Sequence, residues 1–159
     1  MIKVEAIPTP SRREFCASCG RAAGLLALGA AAGCGGNSST GPSSGGQALP
    51  SAAATVSGRT VSIQAGAGTT LASTGAMAVA QTSIGSFLVT RTGSTTATAL
   101  TAVCTHEGCA ITDFSGSQFV CPCHGSTFTN SGAVVKGPAN RSLQSFNTQV
   151  NGDVITFTA

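Results

Sequence analysis

Charge is scarce in this chain: only 8% of its 159 residues are Asp, Glu, Lys or Arg, and the formal net charge is +3. The small positive excess is not gathered anywhere. Residues 1–33 hold Lys3, Arg12, Arg13 and Arg21 against Glu5 and Glu14, and the remainder holds four basic residues against three acidic ones. No basic patch is left to follow a phosphate backbone, so nucleic acid is excluded as a partner. Tryptophan and tyrosine are absent and aromatics make up 4% of the residues, so any core must be built from small side chains. No stretch sustains a helical period, and no apolar run reaches the roughly 20 residues that a bilayer-spanning helix needs. There is no Ser/His/Asp arrangement, no phosphate-binding glycine loop and no carboxylate pair, which removes the usual signatures of hydrolases and nucleotide-binding enzymes.

What is present is concentrated between Cys104 and Phe128. The chain reads C-T-H-E-G-C from Cys104 to Cys109, then eleven residues, then C-P-C-H-G-S-T-F from Cys121 to Phe128. Each half offers thiols and an imidazole within a few residues, as a two-iron, two-sulfide cluster with mixed ligands requires. Sulfur suits the iron that stays ferric and imidazole the iron that changes valence. Cys104 and Cys121 are therefore expected on one iron, and His106 and His124 on the other. Cys109 and Cys123 are then left without metal, at what read as matching points of the two loops, where a disulfide would clamp them together. Their use as extra thiolate ligands would leave the histidines unexplained. Tetrahedral zinc is the competing reading, but zinc pairs usually follow C-x-x-C and H-x-x-x-H spacing rather than C-x-H and C-x-x-H. A secreted module with two plain disulfides gives the histidines no task.

The pair C-T-H-x-G-C and C-P-C-H-G-S resembles the Rieske iron-sulfur proteins of the cytochrome bc and b6f type. The resemblance implies one [2Fe-2S] cluster held by Cys104, His106, Cys121 and His124, with a disulfide between Cys109 and Cys123. It implies further that the Ser126 hydroxyl donates a hydrogen bond to a bridging sulfide, and that Gly137-Pro138-Ala139 is the family's proline loop, covering the cluster from a third side. Phe128 departs from the pattern, because high-potential members carry a tyrosine there. A potential below the top of the Rieske range, which runs from roughly −150 to +300 mV, is expected. Two thiolates bring an oxidised diiron core of about +2 to roughly neutral, and an electron is added more easily there than to a core with four thiolates. Imidazole edges that reach solvent would face a quinol or redox partner and couple a proton to the electron, so the midpoint is expected to fall as pH rises.

The ends of the chain carry other signals. Ser11, Arg12, Arg13, Glu14 and Phe15 followed by an Ala/Gly/Leu-rich run over 22–33 look like a twin-arginine export signal over residues 1–33. That route carries folded proteins, and a disulfide belongs in an oxidising compartment. The expected location is therefore the periplasm or the outer face of a membrane. Cys16 and Cys19, inside the signal, are read as a coincidental C-x-x-C. Ala31, Ala32, Gly33 and Cys34 resemble a lipobox without its usual leucine, so lipid attachment at Cys34 would tether the protein. Residues 34–50, rich in Gly and Ser, read as a flexible linker whose sixteen residues after Cys34 average roughly 20 to 24 Å end to end.

Residues 51–159 read as one all-β domain: an antiparallel β-sandwich of stacked sheets with a small cluster-binding subdomain. The pattern places strands over 55–64, 86–92 and 97–103, with a turn at Gly93-Ser94. Leu143, Phe146, Val150, Val154, Ile155 and Phe157 are placed on two strands joined at Asn151-Gly152. Met77, Val79 and Ile84 are expected in the core, and Lys136 and Arg141 on a solvated surface beside the proline loop. The function expected is single-electron transfer from a quinol or upstream donor to a cytochrome, copper protein or enzyme partner. Substrate chemistry is not expected, because the irons are coordinatively full. Three placements follow: iron-sulfur subunit of a quinol-oxidising cytochrome complex, small subunit of a periplasmic molybdoenzyme such as an arsenite oxidase, or ferredoxin of an oxygenase.

Overall fold

The structure, a computed structural model, describes residues 45–159; the export signal, Cys34 and the first part of the Gly/Ser-rich stretch lie outside the described residues. Thirteen strands follow in order: β1 Gln47–Ala48, β2 Ala54–Ser57, β3 Thr60–Gln64, β4 Met77–Thr82, β5 Gly85–Arg91, β6 Ala97–Thr101, β7 Asp113–Ser115, β8 Gln118–Val120, β9 Thr127–Thr129, β10 Val134–Lys136, β11 Ser145–Phe146, β12 Thr148–Asn151 and β13 Val154–Thr158. They form three sheets, ordered β12-β13-β3-β2, β11-β6-β5-β4 and β1-β7-β8-β9-β10. Every strand pairing within them is antiparallel. Among the described residues there is no helix.

Burial explains why the sequence divides in this way. Successive side chains of a strand point to opposite faces, so a sheet covered on one side alternates and a sheet covered on both does not. In β3 only Val61 and Ile63 are buried, and in β13 only Ile155 and Phe157. In β4 four consecutive residues from Met77 to Ala80 are buried, and in β5 the run from Phe87 to Arg91. The β4-β5-β6 sheet is the middle layer. Its Ala78, Ala80, Phe87, Val89 and Ala99 join Val61, Ile63, Ile155 and Phe157 in one core. Its Met77, Val79, Leu88 and Leu100 face the other way and join Phe119, Phe128, Cys104 and Cys121 in a second. The two cysteines thus sit on the floor of a packed apolar layer.

Several sequence expectations shift by local geometry. The run over 55–64 is a hairpin rather than one strand, turned at Gly58 with φ of 60° between β2 and β3. The last hairpin turns at Gly152-Asp153, one residue later than expected, since Asn151 still pairs with Val154. Phe146 belongs to β11 in the middle sheet, and Leu143 is buried in the connection before it. Ile84 is not core: it is 42% exposed in the turn between β4 and β5, where both neighbouring strands have already left the core. The linker also ends earlier than Pro50. Gln47 and Ala48 pair with Phe114 and Asp113, Leu49 is buried, and the Val79 amide donates to the Pro50 carbonyl at 2.9 Å. Backbone pairing and one buried leucine in an otherwise polar stretch together dock this end of the linker.

Candidate metal centre

Two loops built alike carry the expected ligands. In the first, between β6 and β7, the Gly108 amide donates to the Cys104 carbonyl at 2.9 Å and the Cys104 amide to the Cys109 carbonyl at 2.8 Å. In the second, between β8 and β9, Gly125 donates to Cys121 at 3.0 Å and Cys121 to Ser126 at 2.8 Å. Gly108 and Gly125 close these turns with φ of 75° and 72°, a region where a Cβ is costly. Cys104 and Cys121 therefore stand at equivalent positions, each at the root of its loop. The other cysteines do not. Cys109 ends its loop, opposite Ser126, whereas Cys123 sits near the tip of its own, so the expected matching points are not found. They are nonetheless joined by a disulfide, with Cα atoms 6.5 Å apart across fourteen residues of chain.

Depth separates the two ligand types. Cys104 and Cys121 are free thiols, buried to within 2%. His106 and His124, on the same two loops, are nearer the surface, with 26% and 48% of their side chains exposed. The ring Nδ1 atoms face each other at 3.3 Å, with the rings nearly perpendicular. Two imidazole nitrogens that face each other, and two buried thiols on the same pair of loops, supply the donor types that a mixed sulfur and nitrogen centre needs.

Burial pushes the Cys121 thiol above its ordinary value, and the nearby Cys104 thiol pushes in the same direction, while backbone amides of Cys123 and His124 pull it down. The site is thus costly for a bare Cys121 thiolate but supplies N–H groups that would stabilise its sulfur once a cation sits between the loops. Side chains close enough to share an ion also include Cys109, Cys121 and Cys123, but two of those sulfurs are consumed by the disulfide.

A third segment covers the loops. Ser126 is fully buried, and its Oγ accepts the Ala139 amide at 3.1 Å. This leaves the hydroxyl proton free to be donated elsewhere. Ala139 is buried while Pro138 is exposed, so the proline loop dips inward just after its proline. Gly137 makes that approach possible: at φ of 108°, a Cβ there would land on the Ser126 backbone. Thr105 adds a tie by donating its hydroxyl to the Arg141 carbonyl at 2.6 Å. Phe128 is fully buried on β9 opposite Phe119. Lys136 and Arg141 are exposed, as expected.

Sequence reasoning missed two contacts. Nothing in the spacing of G-P-A signals that the Ala139 amide would fix Ser126. Glu107 stood in plain view within C-T-H-E-G-C, but its reach to both rings depends on how the loops face each other. Its two carboxylate oxygens lie 3.8 Å from Nε2 of His106 and of His124, one oxygen to each ring.

Comparison with known proteins follows the same residues. The family profile of the Rieske [2Fe-2S] domain matches residues 62–147, more than half of the 159. The cytochrome b6-f complex iron-sulfur subunit of Cyanothece sp. (strain PCC 7425 / ATCC 29141) is 52% identical over 60 residues, covering 37% of this chain and 34% of that protein. The corresponding subunit of Synechococcus sp. (strain JA-3-3Ab) is 42% identical over 72 residues, covering 45% and 42%. The chloroplastic subunit of Triticum aestivum is 41% identical over 73 residues, covering 45% and 33%. The matched region thus spans about a third to two fifths of the length of these curated relatives. Among solved structures, the plasma membrane Rieske protein PetC3 from Synechocystis PCC 6803 aligns with a TM-score of 0.47 and 38% identity, covering 52% of this chain and 86% of that one.

Proposed function

This chain belongs to the Rieske [2Fe-2S] domain family, and from that premise we propose that it is an exported electron carrier, passing single electrons from a quinol or upstream donor to a cytochrome or enzyme partner. Cys104 and Cys121 would hold one iron and His106 and His124 the other. The observation that carries the reading is the pairing of two buried thiols with two partly exposed imidazoles whose Nδ1 atoms face each other, each loop giving one of each. When bound, a Rieske-type [2Fe-2S] cluster takes up and returns one electron.

The residues supply everything else. The apolar floor of Phe119, Phe128, Leu100 and Ile111 excludes water from the sulfur side. The histidine edges are the route by which a partner reaches the site, because they are its exposed part. Their Nε2 atoms can hold a proton that leaves as the electron does, so the midpoint falls as pH rises. The disulfide keeps the two loops at fixed separation and the Thr105 tie holds the first of them to the segment at Arg141, which limits reorganisation between redox states.

A more specific placement, as iron-sulfur subunit of a quinol-oxidising cytochrome complex, is favoured by the relatives, which are named as cytochrome b6-f subunits. Export rests on the S-R-R-E-F segment and tethering on A-A-G-C at Cys34, and among the described residues no helix is long and apolar enough to cross a membrane. The test is an absorption and electron paramagnetic resonance spectrum of the purified protein with assay of acid-labile sulfide. A mixed-ligand diiron signal, lost in either His106→Ala or His124→Ala, is expected. Stoichiometric zinc without sulfide would overturn the assignment. Intact mass of the mature protein decides whether Cys34 carries lipid.

A further inference from the structure

Glu107 occupies a place that the donor set alone does not require. Its side chain is 64% exposed at the tip of the first loop, and its carboxylate straddles the two imidazoles, Oε1 toward His106 and Oε2 toward His124, each at 3.8 Å from Nε2. That distance is too long for a direct hydrogen bond but within ion-pair range, with room for bridging water. Among the described residues no lysine or arginine pairs with it: the ion pairs formed there are those with the two rings. Arg141 lines the same groove as Glu107 without reaching it, and Arg91 is spent on the backbone carbonyls of Ala65, Leu71, Gly93 and Ser94, remote in sequence from the tip. The one acidic residue of the ligand loops therefore lies against the outer edge of both nitrogen donors, with its charge uncompensated by a basic side chain.

A reduced site carries one more negative charge than an oxidised one. A carboxylate fixed nearby favours the oxidised form, and does so whichever ring lies closer to the electron. We propose that Glu107 is a positioning residue that sets the potential of this centre, placing one negative charge across the outward nitrogens of both imidazoles and holding the midpoint below that of a neutral residue in its place. The proposal rests on the ligand assignment made above and concerns only the potential, so the two can fail separately. Because Glu107 is exposed, its effect is screened by salt and grows when a docked partner removes water from the tip.

The experiment is redox titration of the loaded full chain, wild type against Glu107→Gln and Glu107→Asp, in about 10 mM and about 500 mM salt. The glutamine keeps the size and loses the charge. In low salt its equilibrium constant for accepting an electron is expected to rise about three- to tenfold, tenfold being ~59 mV for a one-electron couple. The gap narrows in high salt, and the aspartate variant stays on the wild-type side of the glutamine. Equal midpoints in low salt, or a gap that salt does not change, overturn the proposal. If the glutamine variant does not assemble a cluster, Glu107→Ser takes its place in the same comparison: a midpoint above the wild type's that converges on it in high salt supports the proposal, and equal midpoints in low salt refute it. Spectra recorded alongside separate this from failure of the ligand assignment, in which the wild type itself shows no mixed-ligand signal and both inferences fall.

Discussion

Replacing Ser126 with alanine tests the coupling between the proline loop and the ligand loops. The hydroxyl has two roles. Its oxygen accepts the buried Ala139 amide at 3.1 Å, and donation of its free proton toward the site is the proposed role that the variant tests. Removing it leaves the Ala139 amide without its acceptor, which costs about 1–3 kcal/mol for a buried group. A hydrogen bond to a charged acceptor is worth roughly 1 kcal/mol more than one to a neutral acceptor, and the reduced centre is the more negative state. At about 2.3 kcal/mol per 100 mV for one electron, the midpoint of Ser126→Ala is expected to fall by ~40 mV. Both effects are measurable on one preparation: redox titration for the midpoint, and denaturation followed by far-UV circular dichroism for a stability loss of ~2 kcal/mol. A variant that loses stability but keeps its midpoint would show that the hydroxyl only supports the loop. A raised midpoint would refute the inward donation altogether.

Other perturbations act on neighbouring parts of the same frame. Gly137→Ala places a Cβ against the Ser126 backbone at a positive φ, and a loss of about 2–4 kcal/mol with a lowered midpoint is expected in the same two assays, because the loop must lift off Ser126. Phe128→Tyr offers a hydroxyl in the buried layer that holds Cys104 and Cys121, and should raise the midpoint; a titration showing no rise would remove the reason for expecting a potential below the top of the Rieske range. In the metal-free chain, Cys121 has a folded-state value raised above its unfolded one. The neutral thiol then contributes stability in full below the ordinary thiol value near 9, and this is lost as pH rises through the raised value. Urea midpoints falling between about pH 8 and 10, with a shallower fall in Cys121→Ser, are the expected result.

How far the sequence reaches is visible in particular residues. The ligand loops were legible because their chemistry is local. Cys104, His106 and Gly108 lie within one turn of chain, as do Cys121, His124 and Gly125, and a positive φ at a glycine is a property of the residue itself. The outer strands β3 and β13 were legible for a related reason, since a half-buried strand writes its period into its own residues. In the middle sheet β5 and β6 lie close to the strands expected over 86–92 and 97–103, whereas β4 has no expected strand, because its four consecutive buried residues have no alternation to read, and Ile84 looked like core until the turn placed it outside. The single strand expected over 55–64 failed at Gly58-Arg59, where two residues of turn interrupt one apolar pattern.

What the sequence determined by itself, then, is the β class and the family, together with the spacing from which the donor set is proposed, each resting on residue types a few positions apart. Only the tertiary structure decided which donors are buried and which reach water, that Leu49 pins the linker to the cluster sheet, that Ala139 fixes Ser126, and that Glu107 straddles both rings. The physical reason is distance along the chain. Those contacts join residues separated by thirteen or more positions, or depend on how two loops face each other, and short-range spacing carries no record of which distant segments packing brings together.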